Sequence, residues 1–141
     1  MVRRSAVLLV LAVLALVPVT APAAVAAPAA KQTLVVRIVA AHVELNADGT
    51  VSVPLRARCS RPLDAFEVDV SVRQGSTFGS VSLIGAEFPA CTGRWQRTTL
   101  TVPAEAGTFG PGPATVDAFL GAFDPVGGSD LAAEDTATVR L

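Results

Sequence analysis

Residues Val51–Cys59 have the sequence VSVPLRARC, in which side chains of two chemical classes alternate without interruption. The odd-numbered residues are apolar, and the last of them is Cys59. The even-numbered residues are serine, proline and two arginines. A period of two places each class on one face of a β-strand. Pro54 removes one ladder donor, which favours an edge position or a local bulge. The stretch therefore predicts an amphipathic strand with one buried face.

Similar segments precede and follow this strand, separated by turn residues at intervals of roughly ten. Asn46–Gly49 has the composition of a hairpin turn, and the strand from position 34 has a possible break near Ala40. No helical pattern of useful length interrupts the series. The predicted strands lie at 34–45, 51–60, 65–73, 79–84, 94–102, 114–122 and 133–141.

About seven short strands predict an all-β fold in which two antiparallel sheets pack face to face. We expect an immunoglobulin-like β-sandwich, and a small barrel or a jelly roll is the alternative. The order of the strands stays open.

The first 26 residues have the composition of an export signal. Arg3 and Arg4 precede an apolar run from Ala6 to Val17, and small residues surround Ala26. The run is shorter than the roughly 20 residues that span a bilayer, so it predicts a removable signal peptide and not an anchor. We expect Sec-type export with cleavage after Ala26, while a twin-arginine route and neighbouring cleavage sites are alternatives.

This interpretation divides the chain into a signal peptide at 1–26, a flexible lead-in at 27–32 and one sandwich domain at 33–141. The chain ends without a hydrophobic tail, which predicts a secreted, extracellular product with no membrane anchor. Loss of Arg3 and Arg4 makes the formal net charge of −1 more negative by two. A mildly acidic domain has no electrostatic reason to bind nucleic acid, so we expect an extracellular protein or a glycan as the partner. The oligomeric state stays open.

Cys59 and Cys91 are the two cysteines of the chain. Because exported proteins mature in an oxidising compartment, we predict one structural disulfide between them. In the chain-entropy model such a loop is worth about 3.5 kcal/mol. A redox pair would have C-x-x-C spacing, and a zinc site would need more ligands than His42 supplies. We expect no cofactor.

Trp95, with Arg94 and Arg97, is the main candidate for a binding site. If Leu100 faces the core, the alternation places Trp95 and Arg97 outside, but a bulge near Gly93 would reverse it and bury the ring. We favour a core or half-buried ring. An exposed tryptophan beside arginines would suit a protein partner or a sugar ring. Carbohydrate modules present several aromatics, whereas this chain has one Trp and no Tyr.

The last loop and the start of the last strand contain four carboxylates that are weak candidates for calcium binding. Their spacing matches no calcium-loop signature, so we predict no metal site. The four residues are Asp124, Asp130, Glu134 and Asp135.

Two further clusters admit a catalytic hypothesis. His42 with Glu44 could act as a base and its orienting group, but no nucleophile motif accompanies them. Glu67 and Asp69 could be a glycosidase pair. For Glu67 and Asp69 we favour surface ion pairs with the arginines of the strand at 51–60. A hairpin would place that strand beside the strand at 65–73.

Four motifs give the chain a resemblance to a known group. They are V-x-V-x-L-x-A-x-C at Val51–Cys59, VSVRQ at Val70–Gln74, C-x-G-x-W at Cys91–Trp95 and F-G-P-G-P-A-x-V at Phe109–Val116. Together with the alanine- and valine-rich signal, they resemble small secreted immunoglobulin-like proteins of actinobacteria, a group of uncharacterised function. The resemblance covers about residues 43–141 and implies a sandwich with a single disulfide, without catalytic or binding residues.

From these observations we expect a secreted, non-enzymatic binding or accessory protein. A carbohydrate- or calcium-binding module and a small secreted enzyme inhibitor are the alternatives.

Overall fold

The computed structural model describes residues 33–60, 63–85 and 92–141, with the backbone alone at 64–66. The predicted signal peptide at 1–26, the lead-in at 27–32 and Cys91 lie outside the described residues. Within them the chain is all-β, as predicted, apart from one short 3-10 helix at Ala40–His42. The strands are β1 (Leu34–Ile38), β2 (Glu44–Leu45), β3 (Val51–Cys59), β4 (Asp64–Gln74), β5 (Thr77–Ile84), β6 (Gln96–Val102), β7 (Pro113–Asp124) and β8 (Ser129–Arg140).

Two antiparallel sheets form from these strands. In sheet A, β3 is central, with β6 on one side and with β1 and β2 on the other. Sheet B has the order β5-β4-β7-β8. Since β1 pairs with the second half of β3 and β2 with its start, the two are one edge strand interrupted by the 3-10 helix. The predicted break near Ala40 is confirmed.

The expected hairpin between the strands at 51–60 and 65–73 is wrong. β3 belongs to sheet A and β4 to sheet B, so the chain crosses from one sheet to the other between them. Leu63, in this connection, is buried against the core and not exposed as in a surface turn. Both strands bury one face, and stacking them face to face satisfies that requirement as well as side-by-side pairing would.

The core fills the space between the sheets with alternate residues of both. Leu55 from sheet A and Leu120 from sheet B are fully buried, and valines supply most of the rest. The largest other buried side chains are Val36, Val51, Val53, Val68, Val70, Val72, Val102 and Val116. This arrangement confirms two packed sheets with a valine-rich interior. Cys59, at the end of the inner face of β3, is also buried.

The sheets are linked along both lateral edges. Where β1 meets β8, the backbone N–H of Ile38 donates to Asp135 Oδ2 at 2.7 Å, and Arg37 Nη1 lies 3.4 Å from Asp135 Oδ1. At the opposite edge, Phe78 in β5 forms an antiparallel bridge with Ala106, beyond the end of β6. A Cβ atom on Gly79 would lie 2.0 Å from the carbonyl oxygen of Pro103. The seam between the two sheets at this edge therefore requires glycine at position 79.

Candidate functional site

The outer surface of sheet A places arginines on three neighbouring strands. Arg37 of β1 lies opposite Arg56 of β3, and Arg56 lies opposite Arg97 of β6. Adjacent strands are about 4.8 Å apart, so this cross-strand row extends over roughly 10 Å. The alternation that turns Leu55 and Ala57 inward turns these side chains outward.

Trp95, immediately before β6, lies beside this row. The guanidinium carbons of Arg56 and Arg58 are 5.1 and 5.3 Å from the centroid of its ring, within the range of cation–π attraction. The side chain of Trp95 is 39% exposed, and Arg94 next to it is exposed too. We call the surface formed by Arg56, Arg58, Arg94, Trp95 and Arg97 the arginine–tryptophan face.

Packing holds the arginines of this face in place. Within the described part of the chain, Arg56 Nε is buried and has no hydrogen-bond partner, so contact with the indole fixes this side chain. Among the described residues, no carboxylate lies within ion-pair distance of Arg56, Arg58 or Arg97. The face therefore presents oriented guanidinium groups whose charge is not neutralised by the domain's own described carboxylates.

The structure corrects the interpretation that we favoured for Trp95. Arg97 and Trp95 face outward, as the simple alternation predicts, and the bulge that would have buried the ring is not formed. The predicted ion pairs of Arg56 and Arg58 with Glu67 and Asp69 are not formed. Those carboxylates lie on the opposite side of the sandwich, because β4 is in the other sheet. Arg56 and Arg58 reach Trp95 because β3 pairs with β6. Alternation of apolar and polar residues does not reveal which strands pair, so the sequence did not predict this contact.

Sheet B has an outer surface of opposite sign. Phe119 of β7 lies between Asp69 of β4 and Glu134 of β8 in the cross-strand register. The same register places further carboxylates on this side, with Phe123 39% exposed beyond them. We call this surface the acidic–aromatic face; it consists of Glu67, Asp69, Asp117, Phe119, Asp130 and Glu134.

Two shallow grooves flank Phe119 on the acidic–aromatic face. One, of about 330 Å³, includes Asp69, Asp117 and Glu134 in its lining, and the other, of about 320 Å³, includes Asp130. Both are open to solvent along the sheet surface. Such grooves suit contact with another surface better than enclosure of a small molecule.

The two clusters considered for catalysis are not brought together. His42 is exposed in the 3-10 helix at the edge of sheet A, whereas Glu67 is exposed on the outer surface of sheet B. Asp69, two residues on, faces the same open side. No enclosed site forms around any of these three side chains in the described structure.

Alternation along β7 and β8 directs the four calcium candidates to different sides of sheet B. Asp124 ends β7 and accepts hydrogen bonds from the N–H groups of Val126 and Gly127, both at 3.0 Å. Glu134 and Asp135 lie in the last strand, as predicted, and Asp130, predicted in the loop, also belongs to β8. In that strand Asp130 faces outward, whereas Asp135 faces the β1 edge. The described residues contain no group of three or more side chains able to hold a metal ion.

Cys59 is buried at the end of β3, and its predicted partner Cys91 lies outside the described residues. Their pairing stays a prediction. In the described segments there is no helix with the length and apolar character needed to cross a bilayer. Comparison with protein-family models, curated proteins and solved structures gives no match to this chain.

Proposed function

We propose that this is a secreted, non-enzymatic binding protein that recognises an acidic surface of a partner protein through its arginine–tryptophan face. The observation that carries the proposal is the stacking of Arg56 and Arg58 on the exposed ring of Trp95. A small secreted enzyme inhibitor is one form that such a protein could take.

The chemistry of these residues favours carboxylates as ligands. A guanidinium group offers several N–H donors in a planar fork that matches a carboxylate, and stacking on an indole leaves its edge free to donate. Since Arg56 and Arg58 are already oriented by Trp95, less side-chain entropy is lost when a partner binds. Tryptophan and arginine are also the residue types most enriched at the energetic centres of protein interfaces.

A carbohydrate-binding module is the second candidate, but the same contacts weigh against it. A sugar ring stacks on an aromatic face, and two guanidinium groups lie over the ring of Trp95. The chain has no second tryptophan and no tyrosine to extend a sugar platform. We therefore place an acidic protein before a glycan.

The proposal includes an immunoglobulin-like sandwich as the scaffold. The support for it is the division of the strands into two sheets, with β3 and β4 in different sheets. Sheet A has three members when β1 and β2 are counted as one interrupted edge strand, and sheet B has four. In this scheme the strand after β4 pairs with β4 itself, a variation on the constant-domain order. The resemblance to secreted actinobacterial proteins points to the same scaffold.

Export and a disulfide belong to the same proposal. The N–H of Gly93 donates to the carbonyl oxygen of Cys59 at 3.0 Å, so a residue two positions from Cys91 lies beside Cys59. This proximity supports a Cys59–Cys91 bond. Intact-mass analysis of the exported product should find a chain that begins at Ala27 and is lighter by two hydrogens than its reduced form. Two free thiols would overturn the disulfide.

Fluorescence of the single tryptophan tests the binding proposal, because Trp95 alone reports and it lies on the face in question. Titration with poly-L-glutamate should change its emission in a saturable manner, and added salt should weaken the effect. R56A/R58A should lose most of the affinity, whereas the charge-matched control R73A/R140A should retain it.

Two results would contradict this proposal. Equal loss in both variants would mean that net charge, and not the arginine–tryptophan face, attracts the polyanion. A response to neutral oligosaccharides without one to poly-L-glutamate would favour the carbohydrate alternative.

A further inference from the structure

We propose that the acidic–aromatic face of one molecule binds the arginine–tryptophan face of a second copy, so that the protein associates head to tail. This inference rests on the proposed function and names the acidic surface that the arginines recognise. The small formal net charge, −1 for the full chain and more negative by two without Arg3 and Arg4, conceals two faces of opposite sign.

The charges of the two faces are opposite in sign. The arginine–tryptophan face has four arginines, and Arg37 at its margin already pairs with Asp135 of its own domain. Five carboxylates lie on the acidic–aromatic face, and Arg73 and Arg140 lie toward the other end of that sheet. Opposed surfaces of this kind would largely neutralise one another on contact.

The geometry of the two faces also corresponds. Arg37, Arg56 and Arg97 form a row across three strands of sheet A. On sheet B, Asp69 and Glu134 flank an aromatic ring across three strands. Both rows extend over about 10 Å, twice the strand spacing. When the rows are opposed, Arg97 can meet one of the two carboxylates and Arg56 can meet the ring, while Arg37 stays paired with Asp135 of its own domain.

The central ring is positioned to receive such a contact. A Cβ atom on Gly121 would lie 3.0 Å from Phe119 Cε1, so the Phe119 ring lies down along its own strand over the glycine. A ring in this orientation presents a flat surface between the two grooves. Guanidinium groups and indoles pack on such a surface through cation–π and aromatic contacts.

Charge also determines which contacts are excluded. Two arginine–tryptophan faces repel each other, as do two acidic–aromatic faces, so back-to-back symmetric dimers through these sheets are disfavoured. The remaining combination joins unlike faces that lie on opposite sides of one molecule. Such a heterologous contact continues from copy to copy and produces open chains. One sheet surface of a domain this small is a modest contact area, so we expect weak, salt-sensitive association.

Analytical ultracentrifugation of the mature, exported protein tests this inference with two neutralised variants. R56Q/R58Q removes charge from the arginine–tryptophan face, and D69N/E134Q removes it from the acidic–aromatic face. At low ionic strength we expect concentration-dependent oligomers of the wild type, and we expect each variant alone to be monomeric. An equimolar mixture of the two variants retains one intact pair of faces, so it should form dimers and nothing larger.

The mixture also serves as the folding control, since two misfolded variants would not restore a defined dimer. A wild type that stays monomeric at high concentration and low salt would overturn the inference, as would oligomers that persist in either variant alone. If the wild type is monomeric while Trp95 fluorescence responds to poly-L-glutamate, the proposed function stands and only self-recognition fails. If neither response occurs, both fail.

Discussion

The two sheets of this domain are alike on the inside and opposite on the outside. Sheet A buries Leu55 among valines, and sheet B buries Leu120 among valines, so neither inner face can be told from the other by chemistry. Their outer faces carry guanidinium groups around one indole and carboxylates around one phenyl ring, respectively. Folding requires only that each inner face be apolar. The outer faces are free of that requirement, which is why we look for function there.

The largest effect that we expect comes from truncating the shared core. Leu55→Ala in sheet A and Leu120→Ala in sheet B should each lower the free energy of unfolding by about 2–5 kcal/mol, because both remove a fully buried side chain from one closely packed interior. Urea denaturation measures both, and Leu83→Ala, at an exposed position of β5, is the control. A large loss from one leucine with almost none from the other would show that the two sheets do not share a single core.

The next effect distinguishes two glycines of sheet B. Gly79→Ala places a methyl group against the backbone oxygen of Pro103, which cannot move unless β5 separates from the segment after β6. We expect a loss of about 1–3 kcal/mol in thermal or urea unfolding. In Gly121→Ala the new methyl group meets the ring of Phe119, which can rotate away, so stability should change little. Equal losses from both substitutions would contradict this account of the seam.

A smaller effect on stability distinguishes two carboxylates of β8, one in the seam with β1 and one on the outer face. Asp135→Ala removes the acceptor of the Ile38 N–H and the partner of Arg37, and should cost about 1–2 kcal/mol. Asp130→Ala changes a carboxylate of β8 that lies on the outer face, so it should stay within about 0.5 kcal/mol of the wild type. Urea midpoints of the two variants measure the difference. A cost for Asp130→Ala as large as that for Asp135→Ala would mean that the β1–β8 contact does not depend on this side chain.

Alternation in the sequence was sufficient to locate strands and faces, but not to pair strands. It correctly predicted the break near Ala40 and the outward direction of Arg97, because each depends on neighbouring residues alone. It could not predict that β3 pairs with β6, since a period of two says which face is buried and not which strand lies alongside. For that reason Arg56 was assigned to carboxylates of the wrong sheet, and its stacking on Trp95 was missed.

The last hairpin shows a second limit. Residues 124–130 have the glycine and proline content of a loop, yet the ladder between β7 and β8 continues until Asp124 is opposite Ser129. Asp124 makes this tight turn possible, because its buried carboxylate accepts the N–H groups of Val126 and Gly127. Composition alone does not reveal such a contact. The calcium hypothesis depended on placing Asp124 and Asp130 in a loop, whereas they belong to the paired ends of β7 and β8.

The smallest effect concerns the tight turn between β2 and β3 and sharpens the contrast with Asp124. Asp48 is exposed, and its Oδ1 accepts hydrogen bonds from the hydroxyl and the N–H of Thr50 at 2.7 and 3.0 Å. These bonds favour the charged carboxylate and lower the pKa of Asp48 in the folded protein. A lowered pKa stabilises the fold above the pKa of the unfolded chain, and that stabilisation disappears as the pH falls through the folded value. Urea midpoints of the wild type and D48N should therefore differ slightly near neutral pH and converge below about pH 4. A difference that stays constant with pH would mean that the charge of Asp48 contributes nothing to its turn.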